Sequence, residues 1–290
     1  MIRAFPFKTV CGVAAAALIA SGAALPIAMP ADPAPRSTAI ETVLLQPGSF
    51  SHTLPGEFLR GGHPVAAPRV AFSIPRPLEI MKYQVGAQDY AACVEAGVCR
   101  PLDVPVTAGV PATGVSHLDA EAYAAWYSHM TGEEWRLPTD EEWAYAAAEK
   151  FVGDIESAEN DPQNPALRWL SKYRTEAALD RKPDPQPKPA GSYGTNSRGV
   201  ADIAGNVWEW TSTCYVRANV GANGKTLSDR LDNCGVHVVE GFHRTYMSNF
   251  IRDGRSGGCA VGKPPDNLGF RLVREQPSFG RKVLEFLRLA

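Results

Sequence analysis

Gly205-Asn206-Val207-Trp208-Glu209-Trp210 is the stretch of this 290-residue chain whose reading decides the fold. Just upstream, Asp202 opens a short loop that closes on Glu209, with two carboxylates around a glycine-containing turn. Calcium takes six to eight hard oxygen ligands, mixing carboxylates with backbone carbonyls in a tight loop, and Asp202 to Glu209 supplies that pattern. The competing reading has Asp202 capping a turn and Glu209 paired with an arginine. Farther out stand two more compact blocks, Arg136-Leu137-Pro138-Thr139-Asp140-Glu141-Glu142-Trp143 before the loop and Asn267-Leu268-Gly269-Phe270-Arg271-Leu272-Val273 after it.

Between these blocks the local signals are mixed. The sequence predicts a helix from Ala87 to Ala96, ended by Gly97 in the left-handed position. A second helix follows Ser116, where Ser-His-Leu-Asp reads as a capping box, with an apolar face of Ala122, Trp126 and Met130. A third is capped by Thr139, with Glu142 three residues on and Trp143, Ala146 and Ala147 along one face. Strands read as short and scattered, as at Val70 to Ile74 and Gly235 to Val239, with glycine and proline between them. Arg181 to Pro189 alternates proline with polar residues and reads as an exposed connection. The expected class is α+β with much irregular structure. At 44% hydrophobic residues the chain can bury a core, and 29 basic against 31 acidic residues leave a formal charge of -2. No long basic run stands out, so nucleic acid is not an expected partner.

Five segments, in order, resemble the formylglycine-generating enzyme (sulfatase-modifying factor) superfamily. They are Leu54-Pro-Gly-Glu-Phe-Leu-Arg-Gly-Gly62, Tyr83-Gln84-Val85 with Gln88 and Tyr90, and the three blocks at Arg136, Gly205 and Asn267. The resemblance implies one compact domain over residues 50–275, of a C-type-lectin-like kind, low in regular secondary structure. It also implies a cleft that accepts an extended peptide, and bound calcium. By resemblance the calcium ligands are the Asp202 and Glu209 side chains with the carbonyls of Gly205 and Val207, and the ion is structural. A second calcium site of the family does not align, so one calcium is expected.

The same resemblance draws attention to Val238 to Arg255. In true formylglycine-generating enzymes this stretch carries two cysteines, five residues apart, that bind copper(I) and activate oxygen. Here it contains none, and tyrosine, methionine, serine or phenylalanine cannot replace a linear dithiolate. Trp208 resembles the family's pocket-lining tryptophan, and Arg255, with Arg252 beside it, its active-site arginine. Glu240 and His243 lie near the missing cysteines. Glu240 is either a catalytic acid or the ion-pair partner of Arg252 or Arg244. His243 is either a general base or metal ligand, having a pKa near neutrality, or a hydrogen-bonded loop histidine.

The N-terminus reads as an export signal, residues 1–30, with Arg3 and Lys8 before an alanine-rich apolar run; an uncleaved anchor is the alternative, and the only expected membrane contact. Residues 31–49 read as a linker and 276–290 as a tail. Export implies a periplasmic, oxidising compartment in which disulfides persist. Cys93 and Cys99, flanking Gly97, are expected to bridge locally. Cys214 bridges one of Cys234 and Cys259, or those two bridge each other. A leftover thiol such as Cys259 is the candidate soft-metal ligand, so copper is a possible cofactor.

The segment from Cys234 to Arg271 resembles a branch of the superfamily that accompanies copper nitrite reductase in denitrifying bacteria. The leading expectation is therefore an exported accessory or maturation factor for a periplasmic redox enzyme, with Trp208, Arg252, Arg255 and Cys259 at its cleft. The rivals are a periplasmic oxidising enzyme of the siderophore-chromophore kind, using Glu240 and His243, and a binding module without chemistry.

Overall fold

A computed structural model describes residues 40–154, 165–178, 184, 186–257, 265 and 267–276. The expected export signal, nearly all of the tail, part of the proline-alternating segment, and Cys259 lie outside them. The chain first lays down six short strands, β1 (Thr42–Leu45), β2 (Gly48–Thr53), β3 (Glu57–Arg60), β4 (His63–Val65), β5 (Arg69–Ile74) and β6 (Leu78–Met81). Helices α1 (Ala87–Glu95) and α2 (His117–Thr131) follow, then β7 (Trp135–Arg136), α3 (Asp140–Ala147) and α4 (Pro165–Ala178). Two long strands, β8 (Trp208–Val220) and β9 (Leu227–Glu240), precede β10 (Thr245–Ser248), a single turn α5 (Gly254–Gly257), β11 (Leu268–Gly269) and β12 (Val273–Arg274).

The β8–β9 hairpin is the backbone of the larger sheet, ordered β10-β9-β8-β3-β4, with β11 pairing in parallel beside the start of β8. Asn223-Gly224 turns it: Asn223 Oδ1 accepts from the Lys225 and Thr226 amides, and Gly224 takes the left-handed φ of 71° that this turn needs. A second sheet, β1-β6-β12-β7, joins the start of the described chain to its end, and β2 pairs with β5 alone. The stretch read as linker therefore contains paired strands from Thr42 onward. The expectation of short, scattered strands also fails at β8 and β9. Register shifts around Cys214 interrupt their alternation, and residues 227–235 are mostly exposed and polar, so neither strand has a clean two-residue period.

The helix starts follow the capping residues. Ser116 and Thr139 each form a complete capping box, with Asp119 and Glu142. Gly132 closes α2 at a φ of 72°, and Gly97 follows α1 at 75°. The buried face of α2 differs from the expected one: His117, Ala120, Tyr123 and Ala124 are buried, whereas Met130 is 40% exposed. Tyr123 stacks on Tyr90 at 5.8 Å and meets Phe270 edge-on at 5.4 Å, so the aromatic body of a tyrosine sets the orientation of α2. Trp208, Trp210, Phe270 and Leu272 complete this core against α1 and α2, and Trp143 anchors a second cluster with Ile80 and Val273.

Candidate functional site

A cleft of about 670 Å³ opens between the segment after α1, the segment before β11 and the residues around α5. Its walls are mainly apolar, with Leu102, Val104, Pro105, Val110 and Leu268, and its polar groups include Arg252, Arg255, Asp253, Asp103 and Asn267. Both arginines singled out in the sequence thus line one cavity. Arg252 is held rigidly: Nε donates to Asp119 Oδ2 at 2.8 Å and Nη1 to the Pro101 carbonyl at 2.8 Å. Burial opposes ionisation of Asp119, but hydrogen bonds from Arg252 and Ser116 keep its carboxyl below the usual range. Arg255 is more exposed and pairs with Asp253.

Trp208 lies one strand away from the cleft, in register with the lining residue Leu268. The His243 ring meets it edge-on at 4.8 Å, and Phe242 does so at 6.2 Å. Gly241 permits this packing, because a Cβ there would fall 2.6 Å from Trp208 Cδ2. His243 is buried and its Nδ1 donates to the Arg244 carbonyl at 2.8 Å, so the loop-histidine reading describes its geometry.

Glu240 does not join that group. It is fully buried beneath Arg244, whose Nε donates to Glu240 Oε1 at 2.8 Å, while Arg244 also pairs with Asp140 and Asp154. His52 Nε2 reaches Asp140 Oδ2 at 2.7 Å, and the Tyr246 hydroxyl contacts Asp154. Burial and the neighbouring Asp140 raise the Glu240 carboxyl well above its usual value. Burial works the same way on Asp140, yet Arg244 and His52 outweigh it and hold its pKa at about 2. Of the two partners open to Glu240 in the sequence, the structure selects Arg244. The grouping of Asp140, His52, Asp154 and Tyr246 around Arg244 carries no sequence signal, since His52 and Arg244 stand 192 positions apart.

The loop from Asp202 to Glu209 is tightly wound. Asp202, Ala204 and Asn206 all have positive φ, at 55°, 60° and 62°, which marks a backbone held by its surroundings. Asp202 Oδ1 accepts from the Tyr193 amide at 2.8 Å and Oδ2 from the Gly191 amide at 2.5 Å. Glu209 is buried, with Arg271 bound to both its oxygens at 2.6 and 2.7 Å and Trp143 Nε1 on Oε2 at 2.9 Å. Gln84 Nε2 stands among the Asp202 carbonyl, the Gly205 carbonyl and Glu209 Oε1, at 3.1, 3.4 and 2.8 Å. N–H donors therefore already occupy the Asp202 and Glu209 carboxylates and approach the Gly205 carbonyl, three of the four oxygen sources assigned to calcium. The turn-capping aspartate and arginine-paired glutamate describe what is found. Among the described residues no group of three or more His, Cys, Asp or Glu is set to hold a metal. Asn206 instead clamps the proline-rich segment, accepting from the Lys188 amide at 2.7 Å and donating to its carbonyl at 2.9 Å.

Among the described residues there are two disulfides, Cys93–Cys99 as expected and Cys214–Cys234 from the alternatives left open. No helix among the described residues is long and apolar enough to cross a membrane.

Comparison with known proteins places this geometry. The chain is 35% identical over 129 residues to the formylglycine-generating enzyme of Mycobacterium tuberculosis, covering 42% of this chain and 40% of that protein. It is 36% identical over 182 residues to the inactive C-alpha-formylglycine-generating enzyme 2 of Mus musculus, covering 61% and 51%. It thus spans about half the length, or less, of these curated relatives. The structure of PvdO from Pseudomonas aeruginosa superposes with a TM-score of 0.50 at 20% identity, covering 81% of this chain and 94% of that one, a likeness of fold. Residues 28–276 match the family described as the sulfatase-modifying factor enzyme 1-like domain, and the chain belongs to that family.

Proposed function

We propose that this protein is an exported accessory or maturation factor that binds an extended segment of a client redox enzyme, of the copper nitrite reductase type, and does not generate formylglycine. The observation that carries this reading is the cleft of about 670 Å³, apolar along its walls and bearing Arg252 and Arg255. Apolar walls with a few fixed polar groups suit the side chains and main chain of an extended peptide. The absence of cysteine between Val238 and Arg255 argues against the family's thiol-dependent oxidation, and one relative is itself named inactive. The nitrite reductase client rests on the resemblance of the segment from Cys234 to Arg271 to that accessory branch. Export accords with the two disulfides.

An acid-base oxidising role for Glu240 loses its geometric support, because that carboxyl is fully buried against Arg244. The test is saturable binding of a copper-depleted nitrite reductase, or of peptides tiling it, to the wild type and to an Arg252→Glu, Arg255→Glu double variant. Binding that the double variant loses supports the reading. Binding indifferent to both arginines, or none at all, sinks it.

A further inference from the structure

Away from the residues assigned to the cleft, His117 at the start of α2 and His237 on β9 stack face to face, ring centroids 3.5 Å apart and planes 14° apart. Both are buried. His237 Nδ1 is shielded and without a hydrogen-bond partner, whereas the His117 ring meets the Thr211 backbone and, 3.5 Å from its Nδ1, Glu121 Oε2. Buried polar atoms are nearly always satisfied, so an orphan nitrogen in a stacked, buried pair is unusual.

The remaining nitrogen faces sulfur. His237 Nε2 lies 3.9 Å from Cys214 Sγ, Cys214 and His237 are cross-strand partners, and Cys214 is bonded to Cys234. The register shift after Cys214 brings two β9 residues, Cys234 and His237, onto one residue of β8. In a tetrahedral site with metal–sulfur bonds of about 2.3 Å and metal–nitrogen bonds of about 2.0 Å, sulfur and nitrogen sit roughly 3.6 Å apart. The observed separation is close to that. Cys234 is exposed, so a reductant can reach the bridge.

We propose that Cys214, Cys234 and His237 form a soft-metal site gated by the disulfide. In the oxidised chain the two sulfurs are bonded to each other and the site is closed. Two thiols of an external reductant exchange with the bridge, leaving two cysteine thiols and the reductant's own disulfide. On metal binding both thiols release their protons, and the two thiolates with the neutral Nε2 of His237 hold one Zn²⁺ or Cu⁺, with a fourth position open. Thiolate and imidazole together favour such d¹⁰ cations over hard ones. His117, stacked on the ligand ring, is a positioning residue.

The experiment uses the full chain, reduced with a phosphine that is then removed, and titrated with Zn²⁺ against a chromophoric chelator. One equivalent should bind in the reduced chain and none in the oxidised chain. Cys214→Ser should lose that equivalent, a Cys93→Ser, Cys99→Ser double variant should keep it, and His117→Leu should weaken it about tenfold. Co²⁺ as a probe reads the wild type without substitution, where thiolate charge-transfer and tetrahedral bands are expected. Zn²⁺ bound equally by the oxidised chain, binding that survives Cys214→Ser, or an octahedral Co²⁺ spectrum overturns the proposal. Preferential uptake of Cu⁺ over Zn²⁺ by the same residues decides between the two ions and supports the site.

Discussion

Arg271 grips Glu209 through both carboxylate oxygens, Nε to Oε2 at 2.6 Å and Nη2 to Oε1 at 2.7 Å, with neither side chain exposed. The remaining Arg271 donors reach the carbonyls of Met81, Lys82 and Ala201, so this one side chain ties the start of β8 to the end of β6 and to the loop at Ala201. Removing one partner of a buried pair strands the other. Arg271→Met is expected to cost about 3–5 kcal/mol, read as a lowered urea midpoint. A loss within the error of the wild type would show that the pair does not hold the loop.

The same contacts predict indifference to calcium. With Gln84, Trp143, Arg271 and two backbone amides already on the Asp202 and Glu209 oxygens, added Ca²⁺ has no free ligand set there. Thermal unfolding in millimolar Ca²⁺ and in a chelator should give the same midpoint. A rise of several degrees with calcium would mean that the loop rearranges around the ion.

Glu240 gives a pH test. Its folded pKa is raised by burial and by Asp140, so the stability it contributes is complete below its unfolded value of about 4.5 and is lost as pH rises through the folded value. Asp140 has the opposite sign: held at about 2, it stabilises above roughly pH 4 and loses that contribution as pH falls toward 2. Glu240→Gln keeps an acceptor for Arg244 and removes the cost of ionisation. The variant should gain stability over the wild type as pH goes from 5 to 8, measured by urea unfolding at both. A gap that narrows with pH contradicts the assignment.

The Cys93–Cys99 bridge closes a short loop behind α1, with both residues buried. Cys93→Ala, Cys99→Ala should cost about 2 kcal/mol by loop entropy, with the fold retained by circular dichroism.

The legible parts of the chain were those with local chemistry. Ser116 and Thr139 announce their helices because the capping box is written within four residues. Arg252 and Arg255 were found and line one cleft. The face of α2 was misread because Tyr123 buries an aromatic body behind a polar label. The length of β8 and β9 was hidden by the irregular register at Cys214 and by the exposed, charged outer half of β9. The cluster of His52, Asp140, Glu240 and Arg244 was invisible as a unit, since only the folded sheet brings β2, α3 and the end of β9 together. The placement of Gln84 in the calcium-assigned loop was not legible, since it stands 118 positions from Asp202 and only the fold brings its amide among those oxygens.

The central claim is that the chain keeps the fold of the sulfatase-modifying factor enzyme 1-like family without the thiol chemistry of a formylglycine generator. The most direct test is mass spectrometry of a cysteine-containing sulfatase peptide after aerobic incubation with the purified chain and copper(I). The account predicts that the peptide's cysteine remains a thiol or a disulfide. Catalytic conversion of that thiol to an aldehyde, above the level given by copper alone, would contradict it.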